Sequence, residues 1–305
     1  MTDETRSSLV ERIADAVLYE GYILYPYRPS AVKNQQRWNF GVVCPESYAV
    51  AQKGTESATM QTQCLIESGS PPAIDVKVRF LHLMLREAGE SKWQEAVTRE
   101  VLLSHVNESC MKFDFPASRA TDEGRIVRTQ QAIAGEIEVS VSKVSESLIK
   151  LAVTIRNLTE FDDAAERSRD DALMRSFVST HTILQTQEGS FVSLLDPPAE
   201  FKAAASECTN TGTYPVLIGD EGDRSCLLSS PIILYDYPQI APQSAGDLFD
   251  GTEIDEILTL RIMSLTDEEK TEMRNADALA RQLLERTESL SAEQLMNLHG
   301  MMKKV

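Results

Sequence analysis

The sequence predicts an α+β fold: a β-dominated, antiparallel, sandwich-like body with an N-terminal helix and a helical C-terminal arm. Three observations point there. Residues 135–159 hold two runs of period-two alternation about a polar turn, residues 74–86 begin with the same alternation, and the chain beyond residue 265 carries helix N-cap signatures.

In chain order, residues 6–18 read as a short amphipathic helix, with Leu9, Ile13 and Val17 on one face and Arg12 and Asp15 turned away. Gly21 ends it, and Pro26 and Pro29 forbid its continuation, so an extended, turn-rich stretch follows. A long strand is expected at 74–86 and another at 95–106. In the 135–159 region, Ile137, Val139 and Val141 alternate with Glu138, Ser140 and Ser142. A turn at Ser145–Ser147 then leads to Ile149, Leu151, Val153 and Ile155. This is the pattern of a hairpin with one wet face.

Residues 160–176 are acidic and then helical. A second hairpin is expected at 177–195 with Gly189 in its turn. Asp196-Pro-Pro opens a short helix at about 198–207, and short strands are expected at 215–219 and 231–235. Thr266 with Glu269, and Ser291 with Gln294, form capping boxes. The change of character near residue 236 suggests two regions. Residues 1–235 would form a β-rich main domain, and 236–305 an acidic loop and helical arm packed on it.

At 305 residues and 42% hydrophobic content the chain can bury a core without metals or disulfides. A formal charge of −17 opposes binding to nucleic acid, whose affinity rests on basic side chains neutralising phosphates. No stretch approaches the roughly 18 apolar residues of a spanning helix, and the polar N-terminus does not resemble an export signal. The five cysteines are scattered without a C-x-x-C pair, so a reduced, cytoplasmic protein is expected.

Six of the nineteen aromatic residues fall between Tyr19 and Phe40, accompanied by Arg28, Lys33 and Arg37. Tyr, Trp and Arg dominate binding hot spots, so Tyr22, Tyr25, Tyr27, Arg28, Lys33, Arg37 and Trp38 are candidate partner-binding residues. The same composition suits an intramolecular clasp against the acidic stretch at 236–256. Between Asp236 and Glu269 stand nine carboxylates and one base, Arg261. Asp247, Asp250 and Glu253 are close enough in sequence to share a divalent cation. Alternatively, Thr252 caps a helix whose first turn holds Glu253, Asp255 and Glu256.

Histidine is scarce, and no H-E-x-x-H, G-x-S-x-G, Walker or G-x-G-x-x-G motif is present. Cys208, His181 and Asp196 could form a nucleophilic set, and His181 and Cys208 could join Asp236 and the carboxylates that follow it in metal or enzyme chemistry.

Several segments resemble an uncharacterised bacterial family encoded beside the nickel–iron hydrogenases of aerobic bacteria, among accessory genes. They are residues 18–30 (LYEGYILYPYRPS), Lys33-Asn34, Arg37-Trp38, Phe40-Gly41, 180–182 (THT), 191–198 (FVSLLDPP), 229–238 (SSPIILYDYP), 246–261 (GDLFDGTEIDEILTLR) and 265–270 (LTDEEK). The resemblance implies a role in maturation, assembly or stabilisation of a hydrogenase, and assigns no catalytic residue. The expectation is therefore a non-catalytic cytoplasmic accessory protein that binds a protein partner, such as a hydrogenase subunit or maturation factor, with no cofactor. The alternative is a metal-binding protein or enzyme built on the Asp236–Glu256 carboxylates.

Overall fold

The computed structural model describes residues 3–23, 27–28, 31, 34, 37–70, 72–89, 91–122, 125–239 and 255–291. They form two compact units. One joins the N-terminal helix to Phe40–Pro238, and the other joins Tyr19–Asn39 to the chain from Gln239 onward. The chain leaves the β-rich unit at Pro238. The aromatic segment 19–39, expected in the β-rich domain, belongs with the C-terminal helices instead.

The β-rich unit opens with α1 (Asp3–Leu18) and α2 (Glu46–Ala51). Eight strands follow: β1 (Thr59–Glu67), β2 (Ile74–Ala88), β3 (Ser91–Val106), β4 (Ser109–Phe115), β5 (Ser118–Asp122), β6 (Ile126–Gln130), β7 (Ile133–Lys143) and β8 (Leu148–Asn157). After α3 (Arg169–Leu173) come β9 (Val178–Thr186) and β10 (Ser190–Val192). A 3₁₀ turn (Ala199–Phe201) runs into α4 (Lys202–Ser206), and β11 (Tyr214–Leu217) and β12 (Cys226–Ser230) complete the unit.

Two antiparallel sheets result. One has five strands in the order β10-β1-β8-β7-β4; the other has seven, β11-β12-β9-β2-β6-β5, with β3 also on β2. The β7–β8 hairpin forms in the register its alternation implies, with Ile137 opposite Ile155 and Val139 opposite Val153.

The expected hairpin at 177–195 is not one hairpin. β9 pairs with β2 and β12, whereas β10 pairs with β1 in the other sheet. Gly189 makes the crossing: at φ +99°, an added Cβ would meet the Glu67 carbonyl oxygen at 2.8 Å. Period-two spacing marks a strand without naming its neighbour. The strand expected at 231–235 is likewise absent, because Pro231 cannot donate to a ladder and β12 stops at Ser230.

Between the sheets lies a phenylalanine stack. Phe80 and Phe177 have ring centroids 4.7 Å apart, and Phe113 lies 5.4 Å from Phe177 and 6.0 Å from Phe80. Gly135 on β7 sits against them, where an added Cβ would fall 2.5 Å from Phe113 Cζ and 2.6 Å from Phe177 Cζ. A buried hydroxyl chain also joins the sheets: Thr62 Oγ1 donates to Ser229 Oγ at 2.7 Å, which lies 2.8 Å from Thr213 Oγ1.

Helix α1 packs on β2 and β9 through Val10, Ile13, Ala14 and Val17. Its acids fix its position: Asp15 accepts from Arg79 at 2.6 Å, and Glu11 pairs with Lys77 at 2.5 Å.

The second unit contains α5 (Asp255–Met263), α6 (Asp267–Ala276) and α7 (Ala278–Glu288), which bury Leu258, Ile262, Met273, Leu283 and Leu284. The Thr266–Glu269 capping box forms as its residue types require. Gln294 of the second expected box lies outside the described residues.

Replacing Gly135 by Ala should lower the unfolding free energy by about 1–3 kcal/mol, because rings on two elements must move. Gly69, with open space around it, serves as the control and should change by less than about 1 kcal/mol. Denaturant unfolding of both variants measures the difference.

Candidate functional site

The described aromatic and basic residues singled out in the sequence belong to the second unit. Tyr22, Tyr27, Arg37 and Trp38 are buried. The Arg37 guanidinium sits 4.5 Å from the Trp38 ring centre and 5.7 Å from that of Tyr22, and Nη1 donates to the Tyr22 carbonyl at 2.9 Å. Tyr22 and Trp38 meet edge to face at 5.2 Å. The Tyr22 hydroxyl donates to Asp277 Oδ2 at 3.1 Å, while Asp277 Oδ1 accepts from Ala280 N at 2.8 Å and so caps α7.

Arg28 lies 3.2 Å from Glu269 and 3.8 Å from Glu272, both on α6. This is the geometry of a clasp, and its acidic partners sit on α6 and at the start of α7, beyond the 236–256 stretch. Tyr25 and Lys33 lie outside the described residues, as do Asp247, Asp250 and Glu253.

His181 is fully buried on β9, with Nδ1 3.0 Å from the Ser179 carbonyl and Arg79 opposite it in register. Burial pulls its pKa from 6.5 to about 4, so the ring is neutral near pH 7. Cys208 is half-buried in another cluster, packed against Leu65, Leu148, Val192 and Phe201. Burial raises its pKa, which suppresses the thiolate.

No hydrogen bond or ion pair among the described residues joins His181, Cys208 and Asp196. Among the described residues His82 is the other buried histidine, on β2 with Nε2 2.9 Å from the Gln131 carbonyl. Burial first, and then Arg99, lower its pKa to about 4. Among the described residues no three His, Cys, Asp or Glu side chains gather as a metal site.

Asp236 has a different role: it is an anchor. Its Oδ1 accepts from Leu217 N at 2.8 Å and its Oδ2 from Ser193 Oγ at 2.5 Å. Next to it, Tyr237 N donates to the Leu217 carbonyl at 2.8 Å, and the Tyr237 ring packs on the core. At the other end, Ser230 Oγ donates to the Ile232 carbonyl at 2.7 Å, and Pro231 fills the space left open by Gly41. Between these anchors the chain turns Ile233 and Tyr235 outward, 73% and 86% exposed.

Two other exposed apolar side chains belong to the same strand ends. Tyr214 opens β11 opposite Ser230, and Leu195 follows Ser193, whose hydroxyl binds Asp236. The sequence reading passed over this group. Its available signal was the pair Pro231 and Pro238, which bars an apolar run from joining a ladder.

No family model matches the chain, and no curated protein matches it in sequence.

Two outcomes follow for stability. Asp277→Ala should cost the second unit about 1–2 kcal/mol, by losing the α7 cap and the hydrogen bond it accepts from the Tyr22 hydroxyl. Arg28→Glu, with both partners partly solvated, should cost less than about 1 kcal/mol. Thermal unfolding compares them.

For pH, His82 and His181 have folded pKa values of about 4 against an ordinary 6.5. The folded state therefore refuses protons that the unfolded chain accepts. Their stability contribution is intact above about pH 6.5 and is lost as pH falls towards 4. Denaturant unfolding from pH 7 to 5 should show this slope, and a His82→Gln/His181→Gln variant should flatten it.

Proposed function

We propose that this chain is a non-catalytic accessory protein whose β-rich unit binds a protein partner through the 231–235 segment. The observation that carries the reading is the fixed presentation of Ile233 and Tyr235. A tyrosine 86% exposed and an isoleucine 73% exposed, two residues apart, are held between anchors on Leu217, Ser193 and the core. A hydrophobic pair of this kind gains from being covered, and because its backbone is already ordered, little conformational freedom is lost on binding.

The groups that nucleophilic chemistry would need argue the other way for an enzyme: His181 and His82 are buried and neutral, and Cys208 is a suppressed thiol. A net charge of −17 disfavours nucleic acid as the partner. Among the described residues no helix is long and apolar enough to cross a membrane. The resemblance to proteins encoded beside nickel–iron hydrogenases makes a hydrogenase subunit or maturation factor the first partner to test, in a cytoplasmic setting.

Binding of purified hydrogenase subunits and maturation factors to the wild type and to an Ile233→Asp/Tyr235→Ala variant tests this by titration calorimetry. The expected result is one partner bound by the wild type and weakened at least about 100-fold in the variant, with unchanged thermal unfolding. Equal binding by the variant would overturn the assignment of the surface. A stoichiometric metal in the purified protein, lost in Asp247→Ala/Asp250→Ala, would overturn the non-catalytic reading in favour of the metal alternative.

A further inference from the structure

The strands that end each sheet differ in how they are protected. An edge strand leaves a row of backbone donors and acceptors open to another chain, and proteins blunt such edges by shortness, charge, proline or cover. β10 is three residues long. β11 carries Pro215, and Asp236 and Tyr237 occupy both polar backbone groups of Leu217. β5 is exposed along its whole length and bears Arg119 and Asp122, and β3, which among the described residues pairs only with β2, carries Lys92, Glu95, Arg99 and Glu100.

β4 is different. It pairs with β7 without a bulge from Ser109 opposite Val139 to Phe115 opposite Ile133, and among the described residues nothing bonds to its other side. Its alternation is clean. Met111, Phe113 and Phe115 face the core and are only partly covered, while Cys110, Lys112 and Asp114 are exposed. Neither Lys112 nor Asp114 has an ion-pair partner among the described residues.

We propose that β4 is a self-pairing edge: two copies of the chain join antiparallel through β4, centred on Phe113, and merge their five-stranded sheets into one continuous sheet. The register follows from charge and apolar overlap together, since centring on Cys110 would oppose Lys112 to Glu108 but set Phe113 against Asn107 and Phe115 against His105. Facing residues of an antiparallel pair lie on the same side of the sheet, so only a few alignments are allowed. Centring on Lys112 sets that lysine against itself. Centring on Asp114 does the same for the aspartate, and centring on Met111 brings Asp114 towards Glu108.

Centring on Phe113 alone puts Lys112 of each copy opposite Asp114 of the other. It also places Met111 against Phe115 twice and Phe113 against itself, which covers the half-exposed rim of the core. Opposite charges in facing positions stabilise a strand pair, and like charges destabilise it. An edge this short buries less than a standard interface, so the association is concentration-dependent, with a dissociation constant in roughly the micromolar range or weaker.

Sedimentation equilibrium of the full chain across concentration tests this. The expected result is a reversible monomer–dimer equilibrium. Lys112→Asp alone, which opposes aspartates, and Asp114→Lys alone, which opposes lysines, should each weaken dimerisation at least about tenfold. The double swap, Lys112→Asp with Asp114→Lys, should restore it. Circular dichroism establishes that each exposed substitution leaves the fold intact. A wild type that stays monomeric up to about millimolar concentration, a dimer indifferent to the single reversals, or a double swap that fails to rescue would each overturn the proposal. None of these outcomes depends on the 231–235 segment.

Discussion

The close approach of Gly135 to the phenylalanine rings is the constraint on which the β-rich unit depends. Phe113 comes from the five-stranded sheet and Phe80 from the other, while Phe177 leads into β9. They interlock only because β7 offers a bare backbone beneath them. Interiors are close-packed and resist extra volume, so this one missing side chain sets the local spacing of the sheets. The same rings orient β4, because Phe113 and Phe115 are what its inner face contributes. The open outer side of that strand is thus a consequence of how its inner side is used.

Polar contacts then select one arrangement among those a greasy sandwich would tolerate. Asn157, buried at the end of β8, donates to the carbonyls of Val43 and Arg175 at 2.8 and 2.9 Å. It ties two irregular segments to the sheet next to Phe177. The Thr62–Ser229–Thr213 chain does similar work at another level of the core. Such groups are costly to bury unpaired, so a shifted register would be penalised twice, by packing and by lost hydrogen bonds. Helix α1 follows the same logic, with Glu11 and Asp15 meeting Lys77 and Arg79 over the sheet that holds His181.

What the sequence revealed depends on how local each determinant is. The 135–159 hairpin was legible because both strands, the turn and the pairing partner lie within one window. The 177–195 segment was misread because alternation identifies strands but not neighbours, and Gly189 sends its second half to β1. The aromatic segment 19–39 illustrates a different limit. Tyr, Trp and Arg compose both binding hot spots and interlocked interiors, and only burial separates the two. In sequence alone Asp236 reads as a metal or catalytic carboxylate, because sequence shows the acid and not the Leu217 amide it holds. Ile233 and Tyr235 were passed over because an apolar run reads as core unless the flanking prolines are given weight.

The proposed binding role rests on where the reactive and apolar groups of the described residues lie. His82 and His181 sit where burial keeps them neutral, and the half-buried Cys208 is held as a thiol. Ile233 and Tyr235 are exposed apolar side chains, and Lys112 and Asp114 on β4 are exposed fixed charges. A charge of −17 on each copy adds a general repulsion between two such bodies. That repulsion acts over long distances, and salt screens it beyond about 8 Å at physiological ionic strength. Lys112 facing Asp114 across paired strands falls well inside that range. Salt therefore weakens the force that holds copies apart more than the contacts that would hold them together, and an acidic chain can keep an open edge in dilute solution while using it at high local concentration.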